Sequence, residues 1–403
     1  MKIFFTLTPP LNPYSGGVQH TTFKLGTFFH TKGLEVSYYS LSHEGNTVSY
    51  PGKPFHAQQP GGENNQANLD YLSRLLDEIK PDIVINQMPY VVQLHQLLVT
   101  KKSVLNYVLI ACLRNSLFSF ISNIPDILKN RYGNFLSRVV NIPPVISMLK
   151  SRHKVSHALH LRRIMDENDY FILLNEANRD ELSYFIGNYK QEKLRVIANS
   201  IPEVHKQVTG KENSVLYVGS LNIKQKRADL LLDCWKSASE ALPDWRFVVV
   251  GDGDHYEKMK ARVQHESIAN VDFKGRCNPA EHYRKAKIFL MTSAFEGFPN
   301  VILEAQSWGV VPVAFNSYGA IGAIVHPGKD SVLVKPFDTR ACGKEVAALA
   351  KDPVRLEKMS EKALENAEKF TIDNVGPVWI DFFNEILTKR KTADVQSIFQ
   401  AAD

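Results

Sequence analysis

Short apolar runs alternate with amphipathic segments through the first half of the chain. Apolar residues at helical spacing cover 23–32 and 68–79, between runs of strand length. Strands that alternate with helices in this way predict a parallel sheet covered by helices on both faces. The strand-like runs are 2–8, 35–41, 81–87, 104–113, 170–175 and 194–199.

The alternation restarts after 201–213, a polar stretch without a clear period that predicts a linker. Two such units predict an α/β protein with two doubly wound, Rossmann-like domains that face each other across a cleft. Ligands of such folds bind at the carboxyl ends of the strands. Besides a helical segment at about 228–241, the second unit has strand-like runs at 214–220, 246–250, 271–275, 288–293, 310–315 and 331–334.

The last part of the chain predicts an amphipathic helix over 378–390, with apolar residues at helical spacing and cations at its C-terminal end. The expected boundaries are 1–200 for the first domain, 201–213 for the linker, 214–374 for the second domain and 375–403 for the closing segment.

Composition adds a mild basic bias. The chain has 403 residues, 44% of them hydrophobic and 22% charged, with a net charge of +6 and a pI of about 8.9. This charge suits anionic ligands or an anionic membrane surface but is too small to indicate nucleic-acid binding. The apolar runs are too short for a transmembrane helix, and the N-terminus predicts a strand rather than a signal peptide. Four widely spaced cysteines predict buried, reduced thiols in a cytosolic protein: Cys112, Cys234, Cys277 and Cys342.

Two carboxylates flank a predicted helix start in the second unit. Glu296 lies in a Gly-Phe-Pro-Asn loop beyond the strand-like run 288–293, and Glu304 lies in the first turns of a helix predicted over 301–308. The backbone N–H groups of 298–301 would stand at the helix N-terminus, which suits a phosphate. The alternative is that Glu304 is a surface residue and Glu296 a partner of the helix dipole.

This segment resembles the large retaining glycosyltransferase family with the GT-B fold and the Glu-seven-residues-Glu signature (glycosyltransferase family four, glycosyl transferases group one). In that family the first glutamate contacts the donor sugar, the second binds the ribose, and the loop amides hold the diphosphate. The resemblance implies the first role for Glu296 and the second for Glu304. It assigns donor binding to the loop residues Gly297, Phe298, Pro299, Asn300 and Val301.

Basic residues cluster in the turn after the first strand of the second unit, which resembles the family's Gly-Arg-Leu…Lys stretch. The resemblance implies that Lys226 neutralises the departing diphosphate and that Gly219 and Ser220 contact the donor. Ser220 stands where the family usually has arginine. Either Arg227 or Lys224 supplies a second charge, or Lys226 acts with backbone amides alone. A solvated basic loop is the alternative.

Three further positions carry weaker signals. The glycine pair Gly16 and Gly17 after the first strand lets backbone approach a ligand closely, and the resemblance places it near the donor phosphate and the acceptor. Arg114 stands where the family often has an active-site histidine, so Arg114 either makes that contact to the donor sugar or reflects a slipped alignment. Arg276 lies in the stretch that the family uses near the nucleobase.

Two metal-like patterns have simpler interpretations. Asp252 and Asp254 form an Asp-x-Asp, but they lie in a strand-to-helix turn, where an N-cap explains them. The third glycine of a dinucleotide fingerprint is missing there. His153, His157 and His160 have the spacing of a helical metal face, but coincidence in a basic helix is the preferred interpretation. We therefore expect no metal and no cofactor.

A basic stretch at about 116–165 is inserted in the first domain, where cations alternate with apolar residues and Asp126 is the acid among them. This pattern predicts a helical flap on an anionic membrane surface near a lipid-linked acceptor. A solvated basic face over the protein's own domain is the alternative.

The resemblance implies a metal-independent transferase for hexosyl or related sugars. It would move the sugar from a nucleotide diphosphate donor, preferably a UDP-sugar, to a hydroxyl of a glycan or lipid-linked acceptor, with retention of configuration. The implied setting is bacterial polysaccharide or lipopolysaccharide biosynthesis, in the cytoplasm or on the inner face of the plasma membrane. The closing helix would cross back to the first domain. A sugar-nucleotide epimerase or hydrolase, or a non-catalytic sugar-nucleotide-binding protein, remains the alternative.

Overall fold

Two parallel sheets, one in each half of the chain, form the framework of the protein. The computed structural model describes residues 1–14, 16–42, 49–122, 124 and 142–400. The first sheet has seven strands in the order β3-β2-β1-β4-β5-β6-β7. They are β1 (Lys2–Leu7), β2 (Glu35–Ser40), β3 (Lys53–His56), β4 (Ile83–Asn86), β5 (Val108–Cys112), β6 (Tyr170–Leu173) and β7 (Leu194–Val196).

The second sheet follows the polar stretch 201–213 and has six strands in the order β10-β9-β8-β11-β12-β13. In both sheets the chain order reverses beside the first strand, which is the switch point where doubly wound folds bind ligands. The strands are β8 (Ser214–Val218), β9 (Arg246–Val250), β10 (Val271–Gly275), β11 (Ile288–Met291), β12 (Val311–Phe315) and β13 (Val332–Val334).

Helices connect the parallel strands and cover both faces of each sheet. In the first half they are α1 (Gly17–Thr31), α2 (Gln66–Ile79), α3 (Val92–Leu105), α4 (Ser119–Ser122), α5 (Pro143–Glu167) and α6 (Ala177–Ile186). In the second half they are α7 (Leu231–Ser239), α8 (Tyr256–His265), α9 (Ala280–Lys285), α10 (Asn300–Ser307), α11 (Gly319–Gly322), α12 (Thr339–Lys351), α13 (Pro353–Glu368) and α14 (Ile372–Gln400).

The central strands are apolar on both faces because both faces are covered. β4 and β5 are buried at every position, and their register pairs Ile83 with Val108. A continuous apolar run is typical of such parallel strands. Helix starts follow local capping rules, since the side chains of Asn65 and Asp338 accept hydrogen bonds from the first turns of α2 and α12.

Two sequence-based expectations about strands were wrong in detail. The apolar run at 104–113 is not one strand: α3 continues to Leu105, Asn106 ends it in the left-handed region at φ 53°, and only Val108–Cys112 is strand. Apolar periodicity does not separate a buried helix end from a strand that follows directly. The expected strands also miss β3, a short edge strand that contains Pro54.

The closing helix α14 packs on the first domain. The ring centroids of Trp379 and Phe383 lie 6.4 and 5.2 Å from that of Phe29 on α1. A Cβ on Gly376 would come within 2.4 Å of the Phe28 ring, so glycine lets the two helices approach closely there. This helix begins before the predicted start of 378 because its first turns also pack against the first domain.

Two sequence-based expectations about the chain as a whole can be compared with the structure. None of its described helices combines the length and apolarity needed to cross a bilayer. All four cysteines carry free thiols, but Cys277 is exposed, which corrects the expectation that all four are buried.

Candidate active site

The site is built on two loops that leave neighbouring strands of the second sheet. β8 and β11 pair in parallel, so the loops that follow them start side by side. The Ala294 N–H donates to the Gln225 carbonyl at 2.7 Å, and the Thr292 hydroxyl donates to the Lys226 carbonyl at 2.8 Å. These bonds fix the loop that carries Lys226 against the loop that carries Glu296.

Glu296 is held at both carboxylate oxygens. Lys226 Nζ donates to Oε1 at 2.7 Å, and Gln225 Nε2 donates to Oε2 at 2.9 Å. The Glu296 residue is 6% exposed. A buried carboxylate needs such partners, and here they hold its orientation while leaving its remaining lone pairs available to a hydroxyl group.

The Lys226 loop is shaped by its own residues and by the neighbouring turn. Asn222 Oδ1 accepts hydrogen bonds from the N–H groups of Gln225 and Lys226 at 2.9 and 3.2 Å. A Cβ on Gly251 would lie 1.9 Å from the Gly219 carbonyl oxygen, so only glycine fits this approach. The Gly-Asp-Gly-Asp turn at 251–254 therefore packs against the Lys226 loop.

The first of the two metal-like patterns lies in the turn that packs against the Lys226 loop. The expected aspartate N-cap is absent there, since the cap residue of α8 is His255 and no side chain caps this helix. Asp252 accepts from the Gly253 N–H at 2.7 Å, within its own turn. The rings of His157 and His160 stack against Tyr90. Within the described ranges, no three His, Cys, Asp or Glu side chains are arranged to hold a metal ion.

Glu304 lies on α10, and Glu296 lies in the loop before this helix. Its Oε2 accepts from the Tyr283 hydroxyl at 3.2 Å, and its Oε1 lies 3.7 Å from His20 Nδ1 of the first domain. Burial and the nearby Lys24 ammonium lower the pKa of His20, so this contact joins a neutral imidazole to a carboxylate. Glu304 is thus at the interface of the two domains.

Lys24 is a buried cation beside this contact. Its Nζ donates to the Ser200 carbonyl, where the chain passes from one domain to the other. Burial lowers the pKa of Lys24 to about 8, and the charge of Glu304 opposes that shift. The ammonium group therefore ties α1 both to the hinge and, electrostatically, to the Glu304 carboxylate.

The loop before α10 provides fewer backbone donors than the sequence suggests. α10 begins at Asn300 without a side-chain cap. Pro299 has no N–H group, and the Asn300 N–H donates to the Phe298 carbonyl at 2.9 Å. Of the four predicted positions, Phe298 and Val301 are left to offer an N–H to an anion.

Gly297 brings the Glu296 loop into contact with the first domain. A Cβ at this position would lie 2.6 Å from the Arg114 carbonyl oxygen and 2.7 Å from Asn115 Cα. Asn175 Nδ2 also donates to the Gly297 carbonyl at 3.4 Å. Since only glycine permits this approach, the loop that carries Glu296 is a contact between domains as well as a site element.

The glycine pair lies at the same interface. Gly16 precedes α1 in extended conformation, and a Cβ on Gly17 would lie 3.5 Å from Asn300 Nδ2 at the start of α10. Asn300 Oδ1 in turn accepts from Asn199 Nδ2 at 3.1 Å. The structure therefore brings the start of α1 to the start of α10.

Arg114 follows β5 and also faces the interface. Its Nε donates to Gln87 Oε1 at 2.5 Å, and its Nη1 donates to Asn199 Oδ1 at 2.9 Å. The side chain thus joins the ends of two strands of the first sheet to the hinge. Arg114 is held by neutral partners beside the Glu296 loop.

Other predicted donor residues lie at the edge of the arrangement. Ser220 is exposed, and its hydroxyl accepts from Asn222 Nδ2 at 2.9 Å. Arg276 Nη2 donates to the Tyr14 carbonyl of the first domain at 3.0 Å. Arg276 therefore bridges the domains through this contact.

Of the two alternatives for a second cation in the Lys226 loop, Arg227 is already engaged. Its Nη2 lies 2.9 Å from Asp229 Oδ2, and its guanidinium lies 4.9 Å from the Phe337 ring centroid. Lys224 is exposed to solvent.

The sequence-based prediction missed the residues that hold the two glutamates. Gln225 directly precedes Lys226, which was the available signal for it, and His20 follows the glycine pair by one helical turn. Tyr283 gave no signal, because it contacts Glu304 from a different helix. Lys24 and Asn199 likewise act across the domain interface.

Part of the chain is similar in sequence to known glycosyltransferases. Residues 201–370 match the family model described as Glycosyl transferases group 1. The poly(glycerol-phosphate) alpha-glucosyltransferase of Bacillus subtilis is 30% identical over 65% of this chain and 36% of its own length. The lipopolysaccharide 1,6-galactosyltransferase of Escherichia coli is 32% identical over 32% of this chain and 37% of its own length. The chain thus spans little more than a third of either relative.

A third relative is the GalNAc-alpha-(1->4)-GalNAc-alpha-(1->3)-diNAcBac-PP-undecaprenol alpha-1,4-N-acetyl-D-galactosaminyltransferase of Campylobacter jejuni. It is 25% identical over 64% of this chain and 65% of its own length. The three matches together are consistent with the family model but each leaves a third or more of the relative uncovered.

Solved structures establish the fold over nearly the whole chain. HepE of Anabaena in complex with UDP and glucose superimposes with a TM-score of 0.70 at 14% identity, over 95% of this chain and 99% of that one. Sucrose-phosphate synthase from Thermosynechococcus elongatus gives a TM-score of 0.74 at 13% identity, over 96% and 99%. The chain thus has the GT-B fold, and its residues 201–370 are similar to the glycosyl transferases group 1.

Proposed function

We propose that the protein is a retaining glycosyltransferase that moves a sugar from a nucleotide diphosphate donor, preferably a UDP-sugar, to a hydroxyl acceptor. The observation that carries the proposal is the contact between Lys226 and Glu296, a cation and a carboxylate 2.7 Å apart, with Glu304 on the helix that follows. A sugar nucleotide links its sugar, diphosphate and ribose in this order, and Glu296, Lys226 and Glu304 would contact them respectively.

Each group of the donor meets a chemically matched residue in this arrangement. The diphosphate would take the Lys226 ammonium and the first turn of α10, since a cation and a helix N-terminus both favour an anion. Glu296 would accept hydrogen bonds from sugar hydroxyls, and Glu304 from the ribose. Both carboxylates are already oriented by protein donors, which reduces the reorganisation that binding requires.

The reaction needs no side-chain nucleophile. The bond between the sugar anomeric carbon and the diphosphate oxygen breaks, and the acceptor hydroxyl oxygen bonds to that carbon from the same face. The hydroxyl proton passes to the departing diphosphate oxygen. Lys226 stabilises the negative charge that develops on the leaving group, and closure of the two domains excludes the water that would otherwise compete.

Known proteins support the finer parts of the proposal. Structures of HepE contain UDP or UDP-glucose, which favours a UDP-sugar donor on this fold. The names of the Bacillus subtilis and Campylobacter jejuni relatives describe enzymes that form alpha linkages. Retention of configuration from an alpha-linked donor gives an alpha-linked product. The names of relatives that act on lipopolysaccharide and on an undecaprenol-linked glycan support a role in bacterial surface-polysaccharide biosynthesis.

Helix α5 supports the proposed action at an anionic membrane surface. Met148, Val155 and Leu159 are 61, 63 and 69% exposed and recur at helical spacing on one face. Arg152 and Arg162 are exposed on the same face. An exposed apolar stripe flanked by cations suits the interface of an anionic bilayer. Lys129, Arg131 and Arg138 of the predicted insert lie outside the described residues.

A binding and turnover screen tests the proposal. UDP-, GDP- and ADP-sugars are incubated with the wild type in the presence of a chelator, and binding and nucleotide release are measured. We expect one sugar nucleotide to bind and to be turned over slowly without added metal. If turnover requires added metal, the proposed charge role of Lys226 is wrong. If none of the sugar nucleotides binds, the proposed function is wrong.

Two variants give the screen its specificity. Glu304→Ala should weaken nucleotide binding about 10- to 100-fold, because a charge-assisted hydrogen bond of about 1.5–3 kcal/mol is lost. Glu281→Ala, on the exposed face of neighbouring α9, is the matched control and should bind like the wild type. Once an acceptor is found, the anomeric proton coupling of the product in NMR reports retention or inversion. Binding without any turnover would instead favour a non-catalytic protein.

A further inference from the structure

Several buried nitrogen donors of the first domain have no partner among the described residues, and two of them belong to the neighbouring side chains of Gln87 and Arg114. Gln87 Nε2 and Arg114 Nη2 are both shielded from solvent, and neither makes a hydrogen bond to any described residue. Gln87 is 1% exposed. A buried donor without an acceptor costs free energy, so such atoms mark places where a ligand supplies the missing acceptor.

The two donors belong to one cluster with a fixed orientation. Arg114 Nε donates to Gln87 Oε1 at 2.5 Å, so the amide oxygen of Gln87 is occupied and its amide nitrogen is left as the free donor. Arg114 Nη1 is held by Asn199 Oδ1 at 2.9 Å. These two bonds fix the guanidinium plane and leave Nη2 as its unpaired edge.

The cluster carries a positive charge that no described carboxylate neutralises. Burial lowers the pKa of Arg114, and the thiol of Cys112 is the group that opposes this shift. Glu296 is held by Lys226 and Gln225, while Glu181 accepts from the Ser116 hydroxyl and the Leu117 N–H. A buried guanidinium whose partners are two amides and a thiol favours an anionic ligand.

The position of the cluster limits what that ligand is. The Arg114 backbone touches Gly297, next to Glu296, so the cluster lies beside the loop proposed to hold the sugar. The diphosphate already has Lys226 and the start of α10, both in the second domain. Gln87 and Arg114 follow strands of the first sheet, and the Arg114 backbone meets the Glu296 loop at Gly297.

We propose that Arg114 and Gln87 form an oxyanion pocket that binds a carboxylate or phosphate group carried by the transferred sugar or by the acceptor. This inference rests on the proposed transferase function and names its substrate class, an anionic sugar or an anionic acceptor. A guanidinium edge and an amide N–H together suit the two oxygens of such a group. Arg114 would therefore determine substrate specificity and would not bind the donor diphosphate.

Donor binding separates the sources of the anion. Calorimetry compares UDP, UDP-glucose and UDP-glucuronate on the wild type, Arg114→Gln and Arg114→Lys, with the corresponding GDP compounds if the protein binds guanine nucleotides. If the sugar carries the anion, the wild type prefers the glucuronate over the glucose donor about 10-fold or more. Arg114→Gln then abolishes this preference and leaves UDP affinity unchanged, while Arg114→Lys restores it in part.

If the acceptor carries the anion, each donor binds the wild type and Arg114→Gln with equal affinity. The KM for a phosphate-bearing acceptor, such as a glycerol phosphate chain, then rises about 10-fold or more in Arg114→Gln, while that for a neutral acceptor stays constant. Arg179→Gln, a surface arginine of the same domain paired with Glu176, is the control and should change neither quantity. A loss of UDP affinity itself, or no change with any anion, would overturn the proposal.

A measurement without nucleotide keeps this inference separable from the proposed function. Thermal unfolding of the wild type and Arg114→Gln is followed with increasing glucuronate and inorganic phosphate at constant ionic strength. Stabilisation of the wild type alone supports the pocket even if no sugar nucleotide is turned over. Equal stabilisation of both proteins contradicts it.

Discussion

Lys226 Nζ donates to Glu296 Oε1 at 2.7 Å, and both side chains are largely buried. Lys226 is proposed to neutralise the leaving group, and Glu296 is proposed to contact the sugar. A direct hydrogen bond therefore couples the positions of these two side chains. Gln225 holds the second oxygen of the same carboxylate at 2.9 Å. Removing any member of this group changes the orientation of the others, since each is held by its partners rather than by solvent.

Lys226→Ala is expected to reduce kcat of sugar transfer by about 100-fold or more, because removing a preorganised donor to developing negative charge has costs of that size. The change also leaves the buried Glu296 carboxylate with Gln225 alone, which should reduce the free energy of unfolding by about 1–3 kcal/mol. Steady-state kinetics and denaturant unfolding measure the two effects separately.

The matched control for this variant is Lys224→Ala, an exposed cation two residues earlier in the same loop. It should leave stability within about 0.5 kcal/mol of the wild type. If Lys224→Ala reduces kcat as strongly as Lys226→Ala, then the loop acts through its total charge, and the specific role of Lys226 is wrong.

Gly297→Ala should separate the two domains locally. The new Cβ would lie 2.6 Å from the Arg114 carbonyl oxygen, so the Glu296 loop has to move. Overpacking of this kind costs about 1–3 kcal/mol, and a shift of the catalytic loop should reduce kcat about 10- to 100-fold. Gly322→Ala is the control, because a Cβ there meets nothing within 4 Å. Similar kinetics of the two variants would contradict the interdomain role of this loop.

Tyr283→Phe tests whether Glu304 acts through its orientation. The hydroxyl of Tyr283 donates to Glu304 Oε2 at 3.2 Å and lies 3.5 Å from the Val301 carbonyl oxygen, and the ring is buried, so the variant removes these contacts without a cavity. We expect nucleotide Kd to rise about 5-fold, equivalent to about 1 kcal/mol, with little change in kcat. Tyr189→Phe removes a comparable Tyr–Asp bond on the surface of the first domain and should not affect Kd.

The fold was largely predictable because its signal is repeated along the chain. Every apolar run except 104–113 corresponds to one strand, and the restart after 201–213 coincides with the second sheet. The failure at 104–113 has a physical cause. The end of α3 and the start of β5 are separated by the left-handed Asn106, and both flanks are apolar because both are packed in the interior.

The site was predictable only where its residues are close in sequence. Glu296 and Glu304 share one loop and helix, so their spacing carries a signal. Tyr283 and Glu304 are separated by 21 positions in sequence, and Asn199 and Asn300 by 101. No local sequence pattern therefore predicts either contact. The predicted backbone donors 298–301 illustrate a second limit, since a helix start does not reveal how its own turn uses the N–H groups.

Lys24 should make stability depend on pH in the alkaline range. Its folded-state pKa is lowered to about 8, against an unfolded value of about 10.5, so between these values the unfolded chain binds more protons. The free energy of unfolding contributed by this residue therefore rises with pH from about 8 to about 10.5. At neutral pH the charge is buried at a cost of up to about 3 kcal/mol.

The measurement is the difference in unfolding free energy between the wild type and Lys24→Met at intervals from neutral pH to pH of about 10, which cancels other titrating groups. The wild type should gain on the variant as pH rises. Lys32→Met, at the exposed end of the same helix, should show a constant difference from the wild type. A constant difference for Lys24→Met as well would mean that this ammonium is not held in a low-dielectric site.

The exposed stripe of α5 provides a test of membrane binding. Val155→Gln/Leu159→Gln should reduce partition onto vesicles of anionic phospholipid at least about 10-fold, because burying two such side chains contributes more than about 1.4 kcal/mol. Vesicle cosedimentation measures this effect. Arg152 and Arg162 predict that added salt weakens binding of the wild type, and that zwitterionic vesicles bind it poorly.

Val354→Gln and Val378→Gln are the controls, since these side chains are also exposed but lie on other helices. Their partition should equal that of the wild type if α5 alone meets the bilayer. Equal losses from all variants would show that apolar exposure in general, not this face, drives the association. Unchanged binding of the α5 variant, with salt dependence retained, would assign the association to charge alone and remove the apolar stripe from the proposal.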